Sequence, residues 1–300
     1  MEKVTIKAND GYILHLKVYD VENSKGVVQV LHGMEEWQDR YTDFALALNQ
    51  AGYSVVTSNM RGHGEDAPIL GYFSEKNGYK LLISDQIQIT DYILNRFQIE
   101  KIILFGHSMG TIIARNLMHT QCSRYDKVIL SGYPCENIGA YPGMIITGLL
   151  ALFKGVKYHS KFVENIAIGG YNKSIHFPKT KSDWLSYNEE NIQFYLASPY
   201  CGHGFSVSAY KDLFYLVKDM HKHFVEIDPA LPILLMSGRD DPVTGFHKGV
   251  LSTVHALENI GFQQIQYHEY EHMRHEILQE TNKEEVIKDI ITFLDSKRGN

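Results

Sequence analysis

The stretch from Lys101 to Leu117 constrains this chain more than any other. An apolar run, Ile102-Ile103-Leu104-Phe105, passes straight into Gly106-His107-Ser108-Met109-Gly110, and Ile112, Ile113 and Leu117 then repeat with helical spacing. A strand that turns within a few residues into a helix belongs to a layered βαβ arrangement, and here the turn carries a serine between two glycines. Without a Cβ at either glycine, strand and helix can approach closely and hold the serine side chain proud of the sheet. The pattern predicts a nucleophile at Ser108. The Met109 N–H, at the start of the helix, is the expected first donor to an oxyanion.

The same strand–helix rhythm runs through the first part of the chain. Val4-Thr5-Ile6 leads to a turn at Asn9-Asp10-Gly11, and Tyr12 to Tyr19 alternates as a half-buried strand does. Val27 to Leu31 is a short apolar run ending at His32-Gly33, as in a buried parallel strand. A helix from Thr42, marked by Phe44, Ala45 and Leu48, is expected to stop at Gly52, before a strand over Tyr53 to Thr57. Leu82, Ile89, Ile93 and Phe97 mark another helix, and Lys127 to Leu130 another strand. The rhythm breaks near Pro134 and resumes at Pro232 to Met236 and Gln264 to Tyr270. It ends on an amphipathic helix with Val286, Ile287, Ile290, Ile291 and Leu294, expected to open on a capping box of Thr281 and Glu284. These signals predict an α/β fold with a mostly parallel, doubly wound sheet. Residues 1–134 and 229–300 would form the core. Residues 135–228, rich in Tyr, Asn, Gly and Phe with weak helical patterning, would form an inserted cap.

A serine hydroxyl needs a base to take its proton, and the base needs an acid to fix its tautomer. Downstream of Ser108, the strand Ile233 to Met236 opens into Ser237-Gly238-Arg239-Asp240-Asp241-Pro242-Val243, which places a carboxylate at a strand end. Adjacent side chains diverge, so one of the two acids serves. Asp241 is the choice and Asp240 the alternative. The last strand runs into Glu271-His272-Met273-Arg274-His275-Glu276. His275 is the expected base, His272 the alternative, and His268 falls inside the strand, where packing is its expected role. Leu31-His32-Gly33-Met34 fits the loop that supplies a second oxyanion donor, with the Met34 backbone N–H as the candidate and His32 as a structural residue.

Composition narrows the partners. A formal net charge of −6, with Lys and Arg scattered, gives no basic patch for phosphates, so no nucleic-acid role is expected. Met1 to Asp10 has no apolar core of the signal-peptide kind, and the longest apolar stretch, Ile145 to Phe153, is about half the length a bilayer span needs. Cys122, Cys135 and Cys201 lack CxxC spacing and are expected to be buried structural thiols, which suits a reducing cytoplasm. His268-Glu269-Tyr270-Glu271-His272 spells HExxH, but the flanking residues alternate as in a strand, so a helical zinc site is not expected. No metal or organic cofactor is implied.

Taken together, His32-Gly33-Met34-Glu35-Glu36-Trp37-Gln38-Asp39-Arg40-Tyr41, Ala51-Gly52-Tyr53, Arg61-Gly62-His63-Gly64, Gly106 to Gly110, Gly238 to Val243 and Arg274-His275-Glu276 resemble the monoacylglycerol lipase and lysophospholipase branch of the α/β-hydrolases. The resemblance covers the core and not the insertion. It implies an α/β-hydrolase fold with a helical cap and a triad of Ser108, Asp241 and His275. It also implies hydrolysis of a small-molecule acyl ester similar to a monoacylglycerol or lysophospholipid. Trp37, Asn59 and Thr111 stand where members often carry His, Asp and Gly, which bears on substrate rather than mechanism. Ile145, Ile146, Leu149, Leu150, Leu152 and Phe153 would line an acyl tunnel, touch a membrane surface in passing, or simply pack the cap onto the core. Peptidase or thioesterase action on the same triad, and a pocket that binds without turnover, are the competing readings.

Overall fold

The computed structural model describes residues 1–136 and 140–297. Residues 137–139 of the expected insertion and 298–300 of the expected core lie outside the described residues. Eight strands form one sheet. In chain order they are β1 (Glu2–Lys7), β2 (Ile13–Tyr19), β3 (Val27–Leu31), β4 (Ser54–Ser58), β5 (Ile102–His107), β6 (Tyr125–Ser131), β7 (Ile233–Gly238) and β8 (Ile265–Tyr270). The spatial order is β1-β2-β4-β3-β5-β6-β7-β8. β2 runs antiparallel to β1 and β4, and all pairs from β4 to β8 are parallel. The mostly parallel sheet expected from the sequence is therefore present.

β3, β4, β5 and β7 are buried at every position, because helices cover both faces of the sheet. Alternate residues of β5 point into two separate cores. Ile102 and Leu104 join the core that takes Leu82 and Ile89 of α2 (Gly78–Phe97), Ile113 and Leu117 of α3 (Met109–Gln121) and Leu257 of α8 (Phe246–Ile260). Ile103 and Phe105 join the core that takes Phe44 and Leu48 of α1 (Thr42–Gln50) with Val286 and Ile290 of α9 (Lys283–Asp295). Gly52 takes φ +91° just beyond α1, the left-handed stop expected there.

The chain between β6 and β7 carries more helix than its weak patterning suggests. It holds α4 (Ala140–Lys154), α5 (Lys161–Ala167), α6 (Glu189–Ala197) and α7 (Val207–Asp219). Side-chain caps start three of them: Ser160 accepts from the Val163 N–H, Asn188 from Glu190 and Asn191, and Ser206 from Ala209. The signal missed in this segment was capping rather than periodicity.

Two local expectations are corrected. α9 begins at Lys283 after Asn282 with no side-chain cap, so Thr281 and Glu284 make no capping box; acidic Glu284 and Glu285 in the first turn favour the helix dipole instead. Cys122 and Cys201 are buried, but Cys135 is only half-buried, beside the chain turn at Gly245.

Candidate active site

Ser108 sits between β5 and α3 with φ +51° and ψ −118°, a conformation that a side chain with a Cβ adopts only under constraint. Its N–H donates to the Ser131 carbonyl of β6 at 2.9 Å, and its carbonyl accepts from the Thr111 N–H at 2.9 Å. The two glycines of the turn are required by contact. A Cβ on Gly110 would stand 2.1 Å from the Leu31 carbonyl oxygen, and one on Gly106 would stand 2.7 Å from that of Gly110. Met109 opens α3, so its N–H is among those at the helix start that no turn of helix precedes.

The loop after β3 lies against this turn. A Cβ on Gly33 would come within 3.2 Å of both the Ser108 Cβ and the His107 ring. The Gly33 N–H is already given to Glu36 Oε1, which leaves Met34 as the expected donor of that loop. His32 does what a structural residue does: Nδ1 meets the Gly33 carbonyl at 2.7 Å, and Nε2 accepts from the Met60 N–H at 3.0 Å.

Asp241 and His275 are brought together from the ends of β7 and β8. His275 Nδ1 donates to Asp241 Oδ2 at 3.0 Å, with both side chains buried. Asp241 Oδ1 accepts from the Val243 N–H at 2.8 Å, which holds the carboxylate in place. Burial alone would lower the pKa of His275, but the Asp241 carboxylate, together with Glu276 and Glu36, outweighs it and the net shift is upward. The alternatives fall elsewhere. Asp240 accepts from the Tyr187 hydroxyl at 2.9 Å, and His272 is exposed in a left-handed turn at φ +55°. His268 stacks on Tyr270 within β8 and meets Asp289 at 3.1 Å. Among the described residues no group of three or more His, Cys, Asp or Glu is placed to hold a metal ion.

Ser108, His275, Met34 and Met109 line one cavity of about 210 Å³. Ile112, Leu213, Phe214, Val217 and Val243 supply apolar wall, and Ile166, Tyr171 and Trp184 close it from the segment between β6 and β7. Trp184 packs on the His275 ring at 5.1 Å between centroids. The stretch Ile145 to Phe153 does not line this cavity. Met144, Ile146 and Leu150 pack on the core, while Ile145, Leu149, Leu152 and Phe153 face outward.

A buried ionic network behind the site has no counterpart in the sequence reading. Arg40 forks onto Glu276 at 2.6 and 2.7 Å, donates to Glu36 at 2.9 Å and to Asn191 of α6 at 2.8 Å. Glu36 Oε1 takes the Gly33 N–H and the Tyr41 hydroxyl, and Asn191 donates to Glu276 at 2.8 Å. Burial would raise the Glu276 pKa, but the Arg40 guanidinium reverses this and holds it well below the usual carboxylate range. The neighbouring His107 ring is kept neutral by burial, with a pKa pushed down to about 4. Glu276 follows His275 directly and Glu36 holds Gly33, so one guanidinium ties the His275 loop to the Gly33–Met34 loop. The i,i+4 spacing of Glu36 and Arg40 was the only sequence signal available for it.

A mixed sheet of this order, with a serine elbow after β5, an acid after β7 and a histidine after β8, is an α/β-hydrolase fold. The sequence profile described as serine aminopeptidase, S33 (Hydrolase_4) matches residues 22–282, and the chain belongs to that family of serine hydrolases. It is 25% identical over 232 residues to the mouse lysophosphatidylserine lipase ABHD12, covering 76% of this chain and 44% of that one. The chain thus spans less than half the length of that relative. Phospholipase YtpA of Bacillus subtilis (strain 168) is 22% identical over 276 residues, covering 90% of this chain and 95% of that protein. A thermostable carboxyl esterase from Bacillus coagulans, solved in complex with glycerol, superposes with a TM-score of 0.89 at 22% identity, over 98% of this chain and 97% of that one.

Proposed function

We propose that this chain is a serine hydrolase that cleaves carboxylic esters of the monoacylglycerol or lysophospholipid type. The observation that carries the reading is His275, paired with Asp241 at 3.0 Å, lining with Ser108 one largely apolar cavity. In the mechanism, neutral His275 takes the Ser108 proton as Oγ attacks the ester carbonyl. The Met34 and Met109 N–H groups hold the oxyanion of the tetrahedral intermediate. His275 then passes its proton to the departing alcohol, leaving an acyl enzyme. A water molecule, deprotonated by the same histidine, attacks that acyl group and releases the acid and the free serine. No step calls for a metal or organic cofactor.

The segment 135–228 serves in this reading as a cap. Its Ile166, Tyr171 and Trp184 wall the cavity, which suits an acyl chain withdrawn from water. α4 turns Tyr141, Ile145, Leu149, Leu152 and Phe153 to solvent, between half and three-quarters exposed. Such a stripe supports transient contact with a lipid surface. Among the described residues no helix is long and apolar enough to cross a membrane.

The test is hydrolysis of an ester panel, from acetyl to long-chain acyl and including monoacylglycerols, by wild type and Ser108→Ala. Cleavage by wild type and loss in the variant is the expected result. Activity retained in Ser108→Ala, or turnover confined to amides or thioesters, refutes it, and tight binding without any turnover makes the protein a binder.

A further inference from the structure

One carboxyl in the cavity has no protein partner for one of its oxygens. Glu35 follows Met34 and takes the left-handed conformation, φ +55°, that a glutamate adopts only where its surroundings impose it. The backbone is pinned there by the Gly202 N–H, which donates to the Glu35 carbonyl at 3.0 Å. The side chain is buried and lines the cavity shared by Ser108 and His275; its Oε1 lies beyond hydrogen-bond distance of any donor, although the Tyr210 hydroxyl, itself unpaired, faces the carboxyl. The two other acids of that cavity are occupied. Glu36 takes Gly33, Tyr41 and Arg40, and Glu276 takes Arg40 and Asn191. A buried carboxyl oxygen without a donor costs free energy, and a ligand donor is the group that recovers it.

The lining of the cavity indicates which donor. The walls formed by Ile112, Leu213, Phe214, Val217 and Val243 have nothing to meet a hydroxyl and suit an acyl chain. Glu35 stands one residue from the amide assigned to the oxyanion, so it belongs at the carbonyl end of the substrate and not at the acyl tail. The free hydroxyls of a glycerol monoester lie only a few bonds from that carbonyl. Whether neutral or ionised, a carboxyl keeps an oxygen able to accept from such a hydroxyl.

We propose that Glu35 selects the alcohol part of the substrate, accepting a hydrogen bond from a free hydroxyl of a polyol monoester. The assignment rests on the esterase reading above and adds the residue that distinguishes a polyol ester from a simple alkyl ester. A site built to bind a hydroxyl rejects the analogue that lacks it, because the buried acceptor is then left unpaired.

The experiment measures kcat/KM for a glycerol monoester and for the ethyl ester of the same fatty acid, in wild type, Glu35→Gln and Glu35→Leu. Fluorophosphonate labelling of Ser108 is the reference for an intact site. Wild type is expected to favour the glyceryl ester by about tenfold or more, and Glu35→Leu to lower that ratio by about tenfold. Glu35→Gln, which keeps a carbonyl acceptor, lowers it less. An unchanged ratio in a Glu35→Leu protein that labels normally overturns the proposal. If Glu35→Leu does not label, Glu35→Gln decides: a ratio reduced by a few fold supports the assignment and an unchanged ratio overturns it. A preference for a choline ester that Glu35→Leu removes would mark a cation site and also overturns it. Wild type that cleaves no ester, the ethyl ester included, refutes the underlying esterase reading and is distinguishable on that ground.

Discussion

Replacing Arg40 by methionine tests whether one buried cation holds the His275 loop and the Gly33–Met34 loop together. The guanidinium makes four hydrogen bonds, to Glu36, to both oxygens of Glu276 and to Asn191, and its side chain is 2% exposed. Methionine fills a similar volume but leaves two carboxylates facing each other without a cation. Breaking a buried ion pair by removing one partner costs about 3–5 kcal/mol. Unfolding entropy of about 2.1 cal/mol/K per residue amounts to roughly 0.63 kcal/mol/K for a chain of this length, so the expected fall in Tm is about 5–8 K. The loss should depend on pH. Glu276 is held below its unfolded pKa, so its contribution is present above about 4.5 and disappears as pH falls through the lower folded value. The difference between wild type and Arg40→Met should therefore hold from pH 7 down to about 4.5 and shrink below that, towards pH 2.

Activity should fall with stability, and the split between kinetic constants is informative. Arg40 touches neither the expected nucleophile nor the cavity wall, so it acts by holding Gly33 through Glu36 and His275 through Glu276. At a temperature where both proteins are folded, kcat on a short-chain ester should drop at least tenfold with little change in KM. Arg40→Lys, which keeps the charge but not the fork, should recover part of the stability. A Tm within about 1 K of wild type, with kcat unchanged, would refute the view that this network positions the site.

Two further outcomes follow from the titrating groups. In the proposed mechanism neutral His275 is the active base and its pKa is raised, so the acid limb of kcat/KM should have its midpoint above 6.5; Asp241→Asn should move it down, against the remaining upward pull of Glu276 and Glu36, and lower kcat about ten-thousand-fold. A limb that does not move would remove Asp241 from the relay. Burial pushes the Glu35 carboxyl up to about 7, against the Gly204 N–H and Lys181 and together with Glu164, and the Tyr195 and Tyr210 side chains also face it. The folded state therefore keeps a proton that the unfolded chain loses near 4.5, and stability declines as pH rises from 4.5 to about 7, by roughly 3 kcal/mol. Glu35→Gln should raise Tm by a few degrees at pH 8 and leave it unchanged near pH 4, in thermal melts across that range; a pH-independent difference would count against a neutral buried acid.

What can be read from the sequence and what cannot divides along a physical line. The Ser108 elbow, Asp241 and His275 each sit where an apolar strand meets a turn, so a window of about ten residues carries the signal for each. The buried strands read well for the same reason, since Val27 to Leu31 and Ile102 to Phe105 have helices on both faces and need no polar side. The segment between β6 and β7 hid its helices because α5 is only seven residues long and α4 turns part of its apolar surface outward, which breaks the one-faced pattern. The Arg40–Glu276 and Arg40–Asn191 contacts join residues 236 and 151 positions apart, and no local pattern encodes such a meeting. Glu35 lies within a sequence motif that shows no role for it, because its significance lies in an unpaired oxygen that only the packed structure reveals. Adjacent acids in that motif thus have opposite fates: Glu36 is saturated by protein donors and fixes the loop, while Glu35 lines the cavity with one buried oxygen unpaired. The general chemistry of such a site is carried by strand ends, which are local. Its rigidity and its selectivity are carried by side chains that meet only on folding, so relatives at 22–25% identity can share the first without sharing the second.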